Sequence, residues 1–276
     1  MSMRDLDVAG RKVQLFEAGE GAPVLYLHGV ADMHGAAAAP QQFHEALAKQ
    51  CRLLAPAHPG CVGSDEDNSL ESIDDLTFHT LEVMDALGLE KVDIVGNCIG
   101  GWVAAQIASQ NPERVGKLAL IGAPGLFVSG SPIGDLFMAV QPRNGGIADL
   151  RSMLFADGDG DLAEEWFPDQ HRDKEQGMLR YQIFRCVARF GFKPPYFYHQ
   201  KLRDRLYRFK GTALVVHGAN DAFVPPDHAQ AYADGFPNGS VETVAGAGHA
   251  VILEQPDAVA AKVAAFLKDD CFQRSG

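Results

Sequence analysis

The sequence predicts an α/β domain, with a mostly parallel, twisted sheet of about eight strands, helices on both faces and an inserted helical cap. Two observations predict this class. Short apolar runs alternate with longer helical patterns, which is typical of β-α-β units. The chain of 276 residues, 46% hydrophobic, is also long enough for one large core with an insertion.

The predicted strands are short runs rich in apolar or β-branched residues, and most of them end at glycine or proline. They cover residues 5–9, 12–17, 23–27, 52–57, 92–95, 115–121, 212–216 and 240–244. The first two flank the pair Gly10-Arg11, which predicts an antiparallel hairpin. The run 23–27 (PVLYL) is apolar throughout, as expected for a strand buried on both faces of a sheet.

Helical patterns separate these strands at residues 40–50, 69–87 and 102–109. Residues 69–87 carry acidic side chains in their first turns, where the helix dipole favours negative charge. Residues 126–209 break the alternation and are rich in aromatic residues and methionine without a buried-strand pattern. We therefore expect a core domain formed by residues 1–125 and 210–276, and a helical cap formed by residues 126–209.

Charge and composition exclude several functional classes. The net charge of −12 lacks the basic surplus that binds nucleic acid or anionic lipid. No apolar run reaches the roughly 20 residues of a membrane helix, and the first residues lack a signal-peptide core, so we expect a cytoplasmic protein. The five cysteines, Cys271 among them, form no CxxC pair and no metal-ligand pattern, so we expect neither metal nor cofactor.

The segment Gly96-Asn97-Cys98-Ile99-Gly100 lies directly between a predicted strand and a predicted helix. A residue at the centre of so tight a turn has a strained backbone, and the flanking glycines leave its side chain accessible. The adjoining helix N-terminus favours a thiolate and a nearby oxyanion. The pattern therefore predicts that Cys98 is a nucleophile.

Two further residues follow predicted strands, Asp221 in GANDAFVP and His249 in GAGHAVILEQPD. The carboxyl ends of parallel strands lie at one edge of a sheet, so both residues can meet Cys98 there despite their separation in sequence.

Together these segments resemble the α/β-hydrolase superfamily, specifically its capped branch of small-molecule esterases, lactonases and carbon–carbon bond hydrolases. The resemblance also covers His28-Gly29 and HPGCVGSD, residues 58–65. It implies that Cys98 is the nucleophile, that His249 is the general base and then acid, and that Asp221 orients the imidazole. It further implies an oxyanion hole formed by the backbone N–H groups of Val30 and Ile99.

Cysteine departs from the serine that most members of this superfamily carry at the elbow. Dienelactone hydrolases and polyhydroxyalkanoate synthases have cysteine there, so the resemblance implies hydrolysis of a small ester, lactone or thioester through an acyl-cysteine. Four alternatives stay open: carbon–carbon bond hydrolysis, acyl transfer, a serine hydrolase whose nucleophile was replaced by Cys98, and a non-catalytic ligand-binding protein. The expected partner is a small acyl substrate, with a possible homodimer formed through the cap or an edge strand.

The expected substrate contacts are mostly aromatic and lie near the predicted strand ends or in the cap. They are His34, Trp102, Phe127, Phe137, Trp166 and Phe223. Packing within the core or the cap is the competing interpretation for each of them. His28 is expected to shape the oxyanion loop through hydrogen bonds rather than to act as a base.

Overall fold

The computed structural model describes residues 2–35, 37–143 and 146–269, so Cys271 lies outside the described residues. The strands form one sheet in the order β1-β2-β4-β3-β5-β6-β7-β8. Their bounds are β1 Ser2–Val8, β2 Arg11–Ala18, β3 Pro23–Leu27, β4 Arg52–Pro56, β5 Val92–Asn97, β6 Val115–Ile121, β7 Ala213–Gly218 and β8 Gly239–Val244. Strand β2 pairs antiparallel with β1 and β4, and the other pairs are parallel. The predicted fold class is confirmed.

The helices connect these strands or follow them. They are α1 Gln42–Ala48, α2 Ile73–Ala86, α3 Ile99–Gln110, α4 Leu136–Ala139, α5 Ala148–Leu154, α6 Asp161–Trp166, α7 Lys174–Gly191, α8 Pro226–Gly235, α9 Val251–Glu254 and α10 Pro256–Lys268, with short 3-10 helices at Pro112–Arg114 and Arg203–Arg208. The β6–β7 connection contributes α4 to α7, where the helical cap was expected. In the part of the chain that the structure describes, no helix is long and apolar enough to cross a bilayer.

Two element boundaries differ from the sequence prediction for local reasons. The first hairpin turns at Ala9-Gly10, not at Gly10-Arg11, because both residues have positive φ (52° and 81°) as a type I′ turn requires. Helix α2 begins at Ile73 rather than at residue 69 because Ser72 forms a capping box with Asp75.

The parallel strands bring the carboxyl ends of β3, β5, β7 and β8 to the same edge of the sheet. The apolar residues of β5 and β7 are almost fully buried, and Leu25 in β3 and Ile94 in β5 have no exposed surface. Helix α3 packs against β5 and β6, so its N-terminus lies directly at that edge. The loops that follow these strand ends carry Gly29, Cys98, Asp221 and His249.

Candidate active site

Cys98 lies in the turn between β5 and α3, and it is the N-cap residue of that twelve-residue helix. Its backbone angles are φ 51° and ψ −121°, a conformation that side chains rarely adopt and that is found at functional turns. The turn requires glycine on both sides. A Cβ at Gly96 would lie 2.4 Å from the carbonyl oxygen of Gly100, and one at Gly100 would lie 2.1 Å from that of Leu27.

His249 and Asp221 are joined by a hydrogen bond of 2.9 Å between Nδ1 and Oδ2. The second carboxylate oxygen of Asp221, Oδ1, accepts hydrogen bonds from the backbone N–H groups of Phe223 and Val224, at 2.9 and 2.8 Å. Both residues are buried. The two amides hold the carboxylate, and the carboxylate in turn holds the imidazole in one orientation.

The pKa of His249 is raised above its ordinary value, to about 10. Burial by itself would lower this pKa, but the negative charges of Asp221 and Cys98 attract the imidazolium and outweigh that effect. The Cys98 thiol reaches the ring, yet Nε2 has no aligned hydrogen-bond partner among the described residues. Such catalytic hydrogen bonds are often poorly aligned without substrate. The three residues can therefore form a thiolate–imidazolium pair supported by a carboxylate.

The backbone amides of Val30 and Ile99 adjoin Cys98 from two directions. Ile99 is the next residue, and the loop after β3 touches the nucleophile turn so closely that a Cβ on Gly29 would lie 2.6 Å from Cβ of Cys98. Neither amide donates to an acceptor within the described residues. Two such free donors at a helix N-terminus can stabilise a developing oxyanion.

A buried carboxylate, which no sequence pattern singled out, connects the loop after β3 to the turn that carries Cys98. Oδ2 of Asp32 accepts hydrogen bonds from Gly29 N at 3.0 Å, Asn97 Nδ2 at 2.9 Å and the Tyr26 hydroxyl at 2.6 Å. Its Oδ1 lies 3.3 Å from Nε2 of His44. Asp32 thus joins the loop carrying Val30 to the residue before Cys98. The only signal in the sequence was an acidic residue inside a loop of small and apolar residues.

His28 has the structural role that was expected of it. Its Nε2 accepts the backbone N–H of His58 at 2.9 Å, and Nε2 of His58 lies 3.0 Å from the carbonyl oxygen of His28. Burial lowers the pKa of both rings, that of His58 to about 4, so both are neutral at pH 7. The pair fixes the loop after β3 against the loop after β4.

Three of the six expected substrate contacts are buried. Phe223 packs its buried ring 4.8 Å from that of His249, and buried His34 is 3.1 Å from the Ala55 carbonyl oxygen through Nε2. Trp102 is buried on α3, one turn beyond Cys98.

The remaining expected contacts lie farther out. Phe127 and Phe137 are 60% and 51% exposed and pack on Tyr198 and Phe192. Trp166 lines a surface cavity of about 270 Å³. The structure does not bring these three side chains into contact with Cys98 or His249, and as substrate contacts they stay predictions.

A metal site would need several ligating side chains close together. Within residues 2–35, 37–143 and 146–269, no three His, Cys, Asp or Glu side chains are grouped so as to hold a metal ion.

Comparison with known proteins identifies the family. The chain is 28% identical over 281 residues to 2-hydroxymuconate semialdehyde hydrolase of Pseudomonas sp. (strain CF600), covering 96% of this chain and 94% of that protein. It is 32% identical over 242 residues to 2-hydroxy-6-oxononadienedioate/2-hydroxy-6-oxononatrienedioate hydrolase 2 of Pseudomonas putida, covering 84% and 83%. The meta-cleavage product hydrolase of Pseudomonas fluorescens IP01 has the same fold, with a TM-score of 0.74, 24% identity and coverage of 96% and 97%. Residues 24–262 match the model of the alpha/beta hydrolase family, and the chain is a hydrolase that belongs to this family.

Proposed function

We propose that this hydrolase cleaves a carbon–carbon bond beside a carbonyl group in a small, conjugated 2-hydroxy-6-oxo acid, with Cys98 as nucleophile. The substrate class is supported by the similarity to the two Pseudomonas hydrolases. The observation that carries the mechanism is the strained turn at Cys98 beside a buried, hydrogen-bonded His249–Asp221 pair. Carbon–carbon bond hydrolysis, one of the alternatives that the sequence left open, is therefore favoured over hydrolysis of an ester, lactone or thioester.

The reaction starts from the thiolate–imidazolium pair. The Cys98 sulfur adds to the substrate carbonyl carbon, and the resulting oxyanion accepts hydrogen bonds from the backbone N–H groups of Val30 and Ile99. In the 2-oxo tautomer of the substrate, the 2-hydroxyl proton has moved to the carbon beside the 6-carbonyl. The carbon–carbon bond then breaks, its electron pair is delocalised onto the 2-oxo oxygen, and His249 delivers its proton to the resulting dienolate. Water attacks the remaining acyl-cysteine while His249 takes its proton, which releases a carboxylic acid and restores Cys98.

Burial of the reacting groups supports this chemistry. Cys98 is 1% exposed, and His249 and Asp221 are also buried. Charges that are shielded from water interact more strongly, and a carbon leaving group needs a directed proton. We propose that residues 126–209 act as a cap that keeps bulk water out until the acyl-cysteine has formed.

A second candidate function is hydrolysis of a small ester, lactone or thioester through the same acyl-cysteine. The thiol at the elbow favours it, because alkoxide and thiolate groups leave more readily than carbon and need less assistance from the site. The two functions share every step except the identity of the bond that breaks.

Parallel assays test both functions on the same preparation. One follows the loss of conjugated absorbance of 2-hydroxymuconate semialdehyde, and the other follows release of p-nitrophenol from p-nitrophenyl acetate. Each is run with the natural chain, Cys98→Ala, Cys98→Ser and His249→Ala. Cys186→Ala, which removes a thiol from α7 instead, is the matched control.

Turnover of the conjugated acid, lost in Cys98→Ala and His249→Ala but kept in Cys186→Ala, is the expected result. Turnover of the ester alone would replace the first proposal by the second. Faster turnover by Cys98→Ser would identify the thiol as a replacement for serine. A stable adduct without turnover, detected by intact-protein mass spectrometry, would contradict both functions and indicate a ligand-binding protein. Acceleration by an added alcohol, with ester formation, would indicate acyl transfer.

A further inference from the structure

The chain at residues 154–156, where α5 ends, lies directly against the loop that carries His249. The backbone N–H of Ala250 donates a hydrogen bond to the carbonyl oxygen of Leu154 at 2.7 Å. A Cβ at Gly248 would lie 2.7 Å from a backbone nitrogen of segment 154–156. Glycine at this position therefore allows the two backbones to pack closely.

Glu254, the last residue of α9, joins the same two parts of the chain through its carboxylate. Its Oε1 accepts a hydrogen bond from the backbone N–H of Ala156 at 2.8 Å. Its Oε2 accepts one from the backbone N–H of Gly248 at 2.7 Å. Hydrogen bonds to an ionised carboxylate are stronger than those between neutral groups. This side chain thus bridges the segment after α5 and the loop of the proposed general base.

Both neighbours of His249 in the chain take part in this contact. Gly248, which precedes it, donates to Glu254. Ala250, which follows it, donates to segment 154–156. Displacement of the segment would remove the second contact directly, and it would also leave the Glu254 carboxylate with one of its two backbone partners. The position of the imidazole therefore depends on whether the segment is in contact with this loop.

Segment 154–156 is packed into the rest of the β6–β7 connection. Leu154 and Phe155 are buried, and the ring centroid of Phe155 lies 6.0 Å from that of Phe167. Arg151, on α5, donates a hydrogen bond to the carbonyl oxygen of Phe167 at 3.1 Å. These contacts join α5 to the chain that follows α6, so we expect the segment to move together with this part of the cap.

The Glu254 carboxylate is half-buried near the charges of the proposed catalytic centre. Burial raises the pKa of Glu254 above its ordinary value, and the negative charge of Asp221 also raises it. The N–H groups of Ala156 and Gly248 and the charge of His249 lower this pKa and offset part of the shift. Because both amides stabilise the ionised carboxylate, ionisation of Glu254 favours the arrangement in which the two parts of the chain are in contact.

We propose that Glu254 is a positioning residue that couples docking of the cap to the orientation of His249. With segment 154–156 docked, the chain on both sides of His249 is held where the ring meets Asp221. With the segment displaced, both supports weaken and the general base leaves its working position. The proposal rests on the proposed function, because it restricts proton transfer by His249 to the closed cap.

Amide hydrogen exchange of the full chain, followed by NMR, tests this coupling without a substrate. Ala156→Pro removes the N–H that Glu254 accepts without changing the charge of the carboxylate. Phe155 has φ −115° and ψ 149°, which suits a residue before proline. Exchange at the Ala250 amide is expected to accelerate about tenfold, because one contact that holds the segment is lost. Glu254→Gln should accelerate it similarly, although the Glu254 side chain does not bond to that amide.

Two control variants match these changes. Asp161→Pro places proline at the first residue of α6, a position that proline favours. Glu113→Gln makes the same change at an exposed glutamate. Neither should alter exchange at the Ala250 amide. Ala156→Pro combined with Glu254→Gln should give less than the product of the two separate effects, because both changes break the same contact.

The pKa of His249 distinguishes positioning from a purely structural contact. Ala156→Pro is expected to lower this pKa from about 10, because the loosened loop moves the imidazole away from the charges of Asp221 and Cys98. NMR titration of the imidazole measures it, and urea unfolding checks that the variant is folded. With a substrate that is turned over, kcat should fall about tenfold with little change in KM.

Three results would overturn the proposal. One is unchanged exchange at the Ala250 amide in both Ala156→Pro and Glu254→Gln. Another is equal acceleration in Asp161→Pro. The third is faster exchange with an unchanged pKa of His249, which would make Glu254 a structural contact only. Absence of hydrolysis of every substrate would contradict the proposed function instead, and it would leave the exchange and titration results as they are.

Discussion

Nδ1 of His249 lies 2.9 Å from Oδ2 of Asp221, although 28 positions separate the two residues in the chain. They meet because β7 and β8 are parallel neighbours, so the loops that follow them leave the sheet side by side. The carboxylate is also held by two backbone amides of its own loop. Orientation of the imidazole is therefore built into the loops at the sheet edge.

Asp221→Asn is expected to reduce kcat about a thousandfold or more, because the amide neither stabilises the imidazolium nor selects the same tautomer. Steady-state kinetics on whichever substrate is turned over measures the effect. Asp234→Asn, a similar change at an exposed residue of α8 that pairs with Gln230, serves as control. Equal activity of the two variants would show that Asp221 does not act with His249.

Cys98→Ala is expected to lower the pKa of His249 from about 10, because the attraction of the thiolate is lost while that of Asp221 remains. The imidazole is then charged over a narrower pH range. Titration of the imidazole NMR signals measures the change, with Cys186→Ala as the control. An unchanged pKa in Cys98→Ala would mean that no thiolate faces this ring.

Asp32→Asn is expected to lower kcat about tenfold with little change in KM, because the three donors at Oδ2 position the oxyanion loop and the elbow. It should also reduce the free energy of unfolding by about 2 kcal/mol, since an amide cannot accept as many hydrogen bonds. Kinetics and urea unfolding separate the two effects. Tyr26→Phe, which removes one donor only, should show a smaller loss, and an equal or larger loss would argue against positioning by Asp32.

Gly100→Ala is expected to destabilise the fold by about 3 kcal/mol or prevent folding, because the new Cβ would meet the backbone oxygen of Leu27 at 2.1 Å. Gly130→Ala is the comparison. Gly130 has a positive φ of 85°, unlike Gly100, but open space around it, so this change should cost about 1 kcal/mol. Urea unfolding of both variants measures the difference. Similar losses would contradict the tight packing of the elbow.

Acid is expected to destabilise the protein between about pH 6.5 and pH 4. Burial lowers the pKa of His34, His58 and His79 to about 4 and that of His28 well below its ordinary value, so these rings stay neutral in the folded state. The unfolded chain binds protons below pH 6.5, and each such histidine therefore costs about 1.4 kcal/mol of stability per pH unit in this range. His249, with its raised pKa, contributes the opposite trend only above pH 6.5. Urea unfolding at several pH values measures the slope, and a flat profile would contradict neutral buried histidines.

The sequence alone predicted the sheet, and it placed the three residues of the proposed triad at one edge of that sheet. Strand and helix patterns depend on neighbouring residues, and parallel strands place their carboxyl ends at one edge. The motifs around Cys98, Asp221 and His249 could therefore be assigned to that edge without coordinates. The need for glycine at positions 96 and 100 could also be predicted from the sequence, because the turn between β5 and α3 is so tight.

Only the tertiary structure showed how distant residues combine. Asp32 meets Asn97 across 65 positions, and no local pattern of either segment predicts that contact. The surface positions of Phe127 and Phe137, and the contact of Glu254 with the chain after α5, likewise depend on how the β6–β7 connection packs. The physical reason is the range of the interactions. Hydrogen bonds and dihedral preferences of adjacent residues select the elements, whereas side-chain packing between elements far apart in sequence decides which groups are buried, paired or left open to a ligand.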